Sequence, residues 1–181
     1  MHSPIFAYLS PQQLACLSQV NRQIYFKVSA YMHDAYTLEP RLALFFPDPV
    51  AFRRMQARTR CLISGDFALL YFTRQPTSSL LDLYVHDHQR RELGRWLLAE
   101  AGFGFLPSNR QSVDFETAVL QRVQRTEAVS EPSSVAAMFV FIKQGRHGNP
   151  LVVRVHVGRD TPMAVILRSC SSKFWPFPAN T

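Results

Sequence analysis

The stretch that most constrains the fold of this 181-residue chain is residues 60–85. Its apolar residues predict a first strand at 61–63 and a second strand at 80–85. Between the two strands, a sharp turn at 64–66 leads into a short helix at 67–72. A strand, a tight turn, a helix and another strand within so short a sequence indicate an α/β domain.

The turn in this stretch carries candidate ligand-binding residues. Glycine suits a tight turn or a close approach of backbone to a ligand, and Gly65 stands at this position. We expect Asp66 to cap the following helix by accepting a hydrogen bond from its free N–H groups. A helix N-terminus beside a glycine turn is also suited to a phosphate. Ser64, Gly65 and Asp66 are therefore the predicted nucleotide-binding residues.

Residues 3–35 are predicted to be helical. Ser10 is expected at an N-cap, with Pro11 at the first helical position and Gln13 completing a capping box. Apolar residues then recur at intervals of three and four, so we expect them to line one helical face. These residues are Leu14, Leu17, Val20, Ile24 and Val28.

Helices are also predicted on either side of the central stretch. A helix at 50–57 is expected to present Arg53, Arg54 and Arg58 to solvent. After the second strand, Asp87 is interpreted as the N-cap of a helix at 88–101 and not as part of a metal site with its neighbouring histidines. The apolar stripe of this second helix comprises Leu93, Trp96, Leu97 and Ala101.

An antiparallel hairpin is predicted from two β-rich runs, 136–142 and 151–157, which are joined by a glycine-containing loop. The second run alternates in character, so Val152, Arg154 and His156 should share one face of the sheet. Near the C-terminus, we expect a helix or strand with Ile166 and Leu167 buried, followed by a segment at 175–178 that lies across the domain.

Composition restricts the class of protein. The hydrophobic content of 47% is ample for a folded core, and no run of about 18 apolar residues predicts a membrane span. The N-terminus has no secretory pattern, and the three cysteines, Cys16, Cys61 and Cys170, are expected to be reduced core thiols. An intracellular protein, cytoplasmic or nuclear, is therefore expected. The net charge of +7 leaves nucleic acid open as a partner.

From residue 52 onward, the chain resembles the nucleotidyltransferase (polymerase-beta-like) superfamily, and especially its fungal members. That pattern is a strand, a Gly-Ser turn, a helix, a loop and a strand that carries Asp-x-Asp. The matching residues are Phe52, Met55, Gln56, Thr59, Ile63, Ser64, Gly65, Ala68, Leu69, Phe72, Ser79, Leu81, Asp82, Leu83, Tyr84 and Val85. The resemblance implies a mixed sheet with flanking helices.

The chain departs from this pattern at the residues that would carry catalysis. The resemblance implies that two carboxylates on one strand face hold Mg²⁺ ions, which clamp a nucleotide triphosphate. Here Leu80 replaces the first carboxylate, which leaves Asp82 as the remnant catalytic and metal-binding residue. Asp66 replaces the serine of the turn and is a weaker candidate for either role. No cofactor is therefore expected, although Mg²⁺ would be required if nucleotide transfer survives.

A third metal-binding carboxylate, which the resemblance places on the strand of the second β-rich run, is also missing. The polar residues there are Arg154 and His156. Since both share a face of the sheet, one of them is predicted to pair with Asp82 and neutralise it.

The N-terminal segment resembles the F-box, whose helices dock on a Skp1-type adaptor of ubiquitin ligases. The resemblance implies that Leu14, Leu17 and Val20 bind a partner, although the usual opening Leu-Pro-x-Glu is missing. The residues that fit the pattern are Ile5, Tyr8, Leu9, Pro11, Leu14, Leu17, Val20 and Arg22.

Together these features predict an F-box-like region and connector at 1–49 and a nucleotidyltransferase-like α/β domain at 50–181. We interpret the protein as a degenerate nucleotidyltransferase that acts as a binding or scaffold module for a protein or nucleotide, and not as an enzyme. Two alternatives remain: a substrate receptor of a ubiquitin ligase, and a divergent metal-dependent nucleotidyltransferase.

Overall fold

The computed structural model describes residues 4–121, 135–145 and 148–173. Its fold is mixed α/β, as predicted, with one five-stranded sheet and flanking helices. The strands are β1 (Leu62–Ser64), β2 (Leu80–His86), β3 (Gly104–Leu106), β4 (Val135–Gln144) and β5 (Pro150–Gly158). The helices of the described residues are α1 (Pro11–Ser18), α2 (Arg22–Ala35), α3 (Glu39–Leu42), α4 (Pro49–Thr59), α5 (Gly65–Phe72), α6 (Arg90–Ala99), α7 (Phe115–Leu120) and α8 (Pro162–Lys173).

The sheet has the order β1-β2-β5-β4-β3, and within it β2 and β5 run parallel while the other neighbours are antiparallel. The antiparallel pairing of β4 with β5 confirms the predicted hairpin. In the parallel pair, Asp82 lies opposite Arg154 and Tyr84 lies opposite His156. These two interior strands therefore bring together polar residues that are far apart in the sequence.

The main hydrophobic core lies against one face of this sheet. Every second residue of β2 and β5 is buried there, because side chains alternate between the faces of a strand. These residues are Leu81, Leu83, Val85, Leu151, Val153, Val155 and Val157. The alternation leaves Asp82, Arg154 and His156 on the opposite face.

Helix α4 begins where the Asp48 carboxylate accepts hydrogen bonds from the backbone N–H groups of Val50 and Ala51, at 2.9 and 3.0 Å. Its inner side buries Phe52 and Met55. Its outer side exposes its arginines as predicted, namely Arg53, Arg54 and Arg58.

Aromatic side chains join α4 to α6 within the main core. The Phe46 ring stacks on Phe52 with 4.1 Å between ring centroids. The Trp96 ring of α6 lies 5.9 Å from Phe52, between centroids. Aromatic pairs at such distances add about 0.5–1.5 kcal/mol each to the effect of burial. The two helices therefore have a fixed relative position on the sheet.

The N-terminal helices form a second, smaller core. The predicted capping box is present, since Ser10 Oγ accepts from the Gln13 N–H at 3.2 Å and the Gln13 side chain accepts from the Ser10 N–H at 2.8 Å. Leu14 and Val28 are buried in this core. The predicted continuous apolar face is wrong at Val20, which lies between α1 and α2 and is 65% exposed.

Arg74 attaches this N-terminal core to the α/β domain. Its guanidinium donates to the carbonyl oxygens of Phe6 (3.2 Å) and Leu9 and to the Tyr31 hydroxyl (2.9 Å). The hydroxyl of Tyr71 in α5 also donates to the Tyr36 carbonyl oxygen at 2.5 Å. The end of α5 and the loop after it therefore hold the N-terminal helices in place.

Two predicted helix caps are wrong. Helix α5 begins at Gly65, so Ser64 is its N-cap and Asp66 lies in the first turn. Asp87 lies in a 3₁₀ turn, Asp87–Gln89, and forms a salt bridge with Arg90, the first residue of α6. In both places the helix begins at a different residue from the expected one, so the carboxylate is not in the capping position.

The C-terminal helix and the cysteines differ in part from expectation. Val165 is buried in α8, whereas Leu167 is 63% exposed and Ile166 is half-buried. Cys61 is a buried thiol as predicted, but Cys16 is exposed. The prediction for Cys170 as a core thiol concerns a side chain that the structure does not describe, and the segment 175–178 lies outside the described residues.

Within the described part of the chain, no helix has both the length and the apolar character needed to cross a bilayer.

Candidate functional site

The candidate site is centred on Asp82, a buried acidic residue that is 4% exposed. Arg154 binds its carboxylate through two hydrogen bonds, from Nε to Oδ1 at 2.7 Å and from a terminal nitrogen to Oδ2 at 2.8 Å. His156 Nε2 lies 2.8 Å from the same Oδ1 atom. Both oxygens of Asp82 are therefore engaged. The prediction that Arg154 or His156 pairs with Asp82 is confirmed, and in the structure both residues do so.

The parallel register of β2 and β5 explains why these residues meet. Asp82 and Arg154 are directly opposite each other, and His156 is two residues further along the same face of β5. Each side chain follows the alternation of its strand, so none needs an irregular backbone to reach the others. The site is therefore a direct result of the sheet.

The ion pair changes the proton affinity of Asp82. Burial alone would raise the pKa of this carboxyl group, but hydrogen bonds from His156 and Arg154 and their charges outweigh that effect and lower the pKa. The hydrogen bond to Asp82 in turn raises the pKa of the Arg154 guanidinium. Asp82 is therefore charged at neutral pH.

Tyr84 is a member of the site that sequence reasoning did not assign. Its ring stacks on the His156 imidazole with 4.6 Å between centroids and 13° between planes. This contact orients the imidazole so that Nε2 points to Asp82. Once β2 and β5 are paired, Tyr84 lies opposite His156, so a correct register is the signal that would have identified it.

Gly65 lies against the Asp82 carboxylate. Its φ angle is +71°, and a Cβ atom at this position would be only 2.4 Å from Asp82 Oδ2. Glycine is therefore required here, as the sequence predicted for a close approach. The group that approaches Gly65 is the carboxylate of the protein's own Asp82.

The other predicted nucleotide-binding residues lie beside this contact. Ser64 is directly opposite Asp82 in the pairing of β1 with β2, and its side chain makes no capping hydrogen bond to α5. Asp66 is exposed in the first turn of α5. A phosphate here would meet the negative charge of Asp66, which counteracts the attraction of the helix N-terminus.

The residues present do not fit a Mg²⁺ site. Mg²⁺ requires octahedral oxygen ligands, and Asp82 has both oxygens bound to cationic or hydrogen-bonding side chains. Leu80, two residues earlier on β2, supplies no oxygen ligand. Across residues 5–121, 135–145 and 148–168, no group of three or more His, Cys, Asp or Glu side chains has a metal-binding arrangement.

The predicted partner-binding residues of the N-terminal helices have different exposures. Leu14 is fully buried, Leu17 is half-buried and Val20 is 65% exposed. Leu14 therefore contributes to the N-terminal core and is not available to a partner in this conformation. Other large apolar side chains of the same helical region are exposed instead, namely Ile5, Tyr8, Tyr25 and Phe26.

Comparisons of the chain with protein-family models, with curated proteins and with solved structures return no significant match. The nucleotidyltransferase-like and F-box-like resemblances therefore stay predictions from the sequence.

Replacing Gly65 by alanine tests the contact with Asp82, and Gly102 provides a matched control. Gly102 also has a positive φ, +73°, but nothing lies within 4 Å of an added Cβ. We expect Gly65→Ala to lower the free energy of unfolding by about 2–4 kcal/mol and Gly102→Ala by about 1 kcal/mol. Urea denaturation of both variants measures the difference. Equal losses would show that Asp82 does not constrain this turn.

The ion pair also predicts a dependence of stability on pH. The pKa of Asp82 is lower in the folded than in the unfolded state, whose value is about 3.9. Its contribution to stability is therefore complete above that pH and is lost as the pH falls toward the folded-state pKa. Urea denaturation between neutral and acidic pH should show that Asp82→Asn is about 1–3 kcal/mol less stable at neutral pH and loses less stability on acidification. Asp66→Asn, at an exposed position, should show the same pH dependence of stability as the unmodified protein. Identical pH profiles for the unmodified protein and both variants would contradict the lowered pKa of Asp82.

Proposed function

We propose that this protein is a catalytically inactive, nucleotidyltransferase-like module that acts by binding or scaffolding other molecules. The observation that carries the proposal is the pairing of Asp82 with Arg154 and His156. This carboxylate, the remnant of the predicted metal-binding pair, instead joins β2 to β5. Its role in this proposal is structural.

Metal-dependent nucleotide transfer requires a change that the pairing of Asp82 with Arg154 and His156 opposes. A Mg²⁺ ion would have to displace both Arg154 and His156 from the Asp82 carboxylate. Arg154 would lose both of its hydrogen bonds to the carboxylate, and its positive charge would repel the incoming Mg²⁺. With Leu80 in the neighbouring position, no second carboxylate offsets that loss.

The buried thiol near the site does not provide an alternative nucleophile. Cys61 directly precedes β1, and burial raises its pKa to about 11. The thiolate is the reactive form of cysteine, and at neutral pH this side chain is a neutral thiol. This supports a binding role over a covalent mechanism at this end of the sheet.

Calorimetric titration with ATP, GTP, CTP and UTP, with and without Mg²⁺, tests the proposal. We expect no Mg²⁺-dependent binding at nucleotide concentrations of about 1 mM, because the only carboxylate on the site face of β2 is already ion-paired. Asp82→Asn and Asp66→Asn should give the same result, with circular dichroism confirming that each is folded. Mg²⁺-dependent binding that Asp82→Asn abolishes would refute inactivity and favour the divergent nucleotidyltransferase.

A second candidate function is that of an F-box-type substrate receptor. The observation that favours it is the exposure of large apolar side chains on the N-terminal helices, including Tyr8 at 88% and Val20 at 65%. Such exposure in neighbouring elements is typical of a surface that a protein partner covers. In this candidate function, the N-terminal helices bind the adaptor and the α/β domain holds the substrate.

An adaptor pull-down with surface variants tests this second function. Tyr8→Asp combined with Val20→Asp should weaken adaptor binding by at least about 10-fold, since buried aromatic anchors dominate such interfaces. Val50→Asp, which changes a residue that is 51% exposed on α4, is the control and should bind normally. Tyr8 and Val20 are preferable to Leu14 for this test. Replacing the buried Leu14 would destabilise the N-terminal helices, so a loss of binding could not be distinguished from unfolding. Failure of the unmodified protein to bind the adaptor would exclude this function.

A further inference from the structure

A groove separates the outer sides of α4 and α6, on a different part of the molecule from Asp82. It consists of two adjoining cavities of about 440 and 280 Å³. The cavities share Met55 and Arg58 from α4, Trp96 from α6, and Glu100 just beyond α6. Because the same side chains line both cavities, they form one continuous groove.

The floor of the groove is apolar and fixed in position. Met55 is 4% exposed and Trp96 is 7% exposed, so each presents only a small part of a side chain that is otherwise in the core. The Trp96 indole N–H donates to Glu100 Oε2 at 2.9 Å, which orients the ring. The floor is therefore a small apolar patch that is already ordered without a ligand.

Arginines from both helices form the rim. Arg91 and Arg95 of α6 both bind Glu116 of α7, with Arg91 Nε 2.7 Å from Oε2 and Arg95 Nε 2.5 Å from Oε1. Arg58 of α4 pairs with Glu92. The side chains of Arg58, Arg91 and Arg95 are nevertheless 63%, 47% and 56% exposed. Each guanidinium has five N–H donors, so the rim retains donors for a further anion.

Arg54 adds a positive charge that no carboxylate of the described residues neutralises. It lines the smaller cavity and is exposed, and it has no carboxylate within salt-bridge distance among the described residues. Helix α4 contains no acidic residue in its whole length, Pro49–Thr59. The groove therefore combines preformed carboxylate-binding arginines, an arginine without an ion-pair partner in the described part of the chain, and an apolar floor.

We propose that this groove binds an acidic segment of a partner protein. An apolar side chain of the segment rests on Met55 and Trp96, and Asp or Glu residues on either side bind Arg54, Arg58 and the arginines of α6. The glutamates that Arg58, Arg91 and Arg95 already bind show that the geometry of these three arginines accepts carboxylates. This site does not include Asp82, so it is independent of the inactivity proposed above.

A protein segment suits this groove better than nucleic acid. Glu92 and Glu100 also line the groove, and they would repel a phosphate chain that carries a negative charge at every nucleotide. A peptide avoids that repulsion because it can place an apolar or neutral residue next to each glutamate. The alternation of apolar floor and charged rim matches such a sequence.

The test uses the full chain and a fluorescein-labelled dodecapeptide made of three Glu-Leu-Glu-Ser repeats, with binding followed by fluorescence anisotropy. Arg54→Glu should weaken binding by about 10-fold, because it reverses a charge in the groove. Arg53→Glu is the matched control: it makes the same charge change one residue away on α4, at a position that does not line the groove. It should weaken binding by less than about 2-fold.

Three other results of the binding experiment would overturn the proposal in whole or in part. Equal effects of the two variants, or equal binding of a peptide with glutamine in place of glutamate, would overturn specific recognition by the groove. Tighter binding of a 12-nucleotide oligouridylate than of the peptide would overturn the protein partner in favour of nucleic acid. Absence of binding by the unmodified protein would overturn the proposal altogether. Asp82→Asn should bind the peptide normally, which separates this test from that of the proposed function.

Discussion

The pairing of one buried carboxylate determines much of this structure. Removing an ionised carboxylate from water costs several kcal/mol unless charged or hydrogen-bonding partners replace the lost hydration. For Asp82 those partners are Arg154 and His156, so β2 and β5 must pair in the observed register. Gly65 is also constrained, because only a residue without a side chain can lie against Asp82 Oδ2. The register of β2 with β5, the turn at Gly65 and the first residue of α5 therefore all depend on this interaction.

The same interaction limits what the site can do. The Asp82 carboxylate already accepts two hydrogen bonds from Arg154 and is in contact with His156 Nε2. It is therefore a poor metal ligand. The features that point to binding lie elsewhere, on the N-terminal helices and in the groove between α4 and α6. In the proposed function, the polar centre of the sheet contributes stability, and the surfaces around it bind partners.

Much of this arrangement could be predicted from the sequence where short-range patterns determine it. Alternation along residues 151–157 correctly placed Arg154 and His156 on one face, and the glycine at position 65 correctly indicated a close approach. The pairing with Asp82 was predictable because all three side chains follow strand alternation. The family resemblances that suggested a function rest on sequence motifs alone.

Other features could not be predicted because they depend on contacts without a local signal. Asp66 and Asp87 resemble helix caps in the sequence. However, α5 begins at Gly65 and α6 begins at Arg90, so neither aspartate occupies the N-cap position. Val20 continues an apolar spacing but lies beyond the end of α1. The contacts of Arg74 with Phe6 and Leu9 span more than 60 residues, and no spacing rule predicts them.

The pairing of β2 with β5 has a consequence for the order in which the chain folds. Asp82 and Arg154 are 72 residues apart, so the loop between them must close before their strands gain any stabilisation. Contacts of such separation slow folding, because their entropic cost precedes their benefit. During synthesis, β1, α5 and β2 leave the ribosome long before β5 does. Until β5 arrives, the Asp82 carboxylate must remain hydrated, and the edge of β2 that β5 later covers is open to other chains.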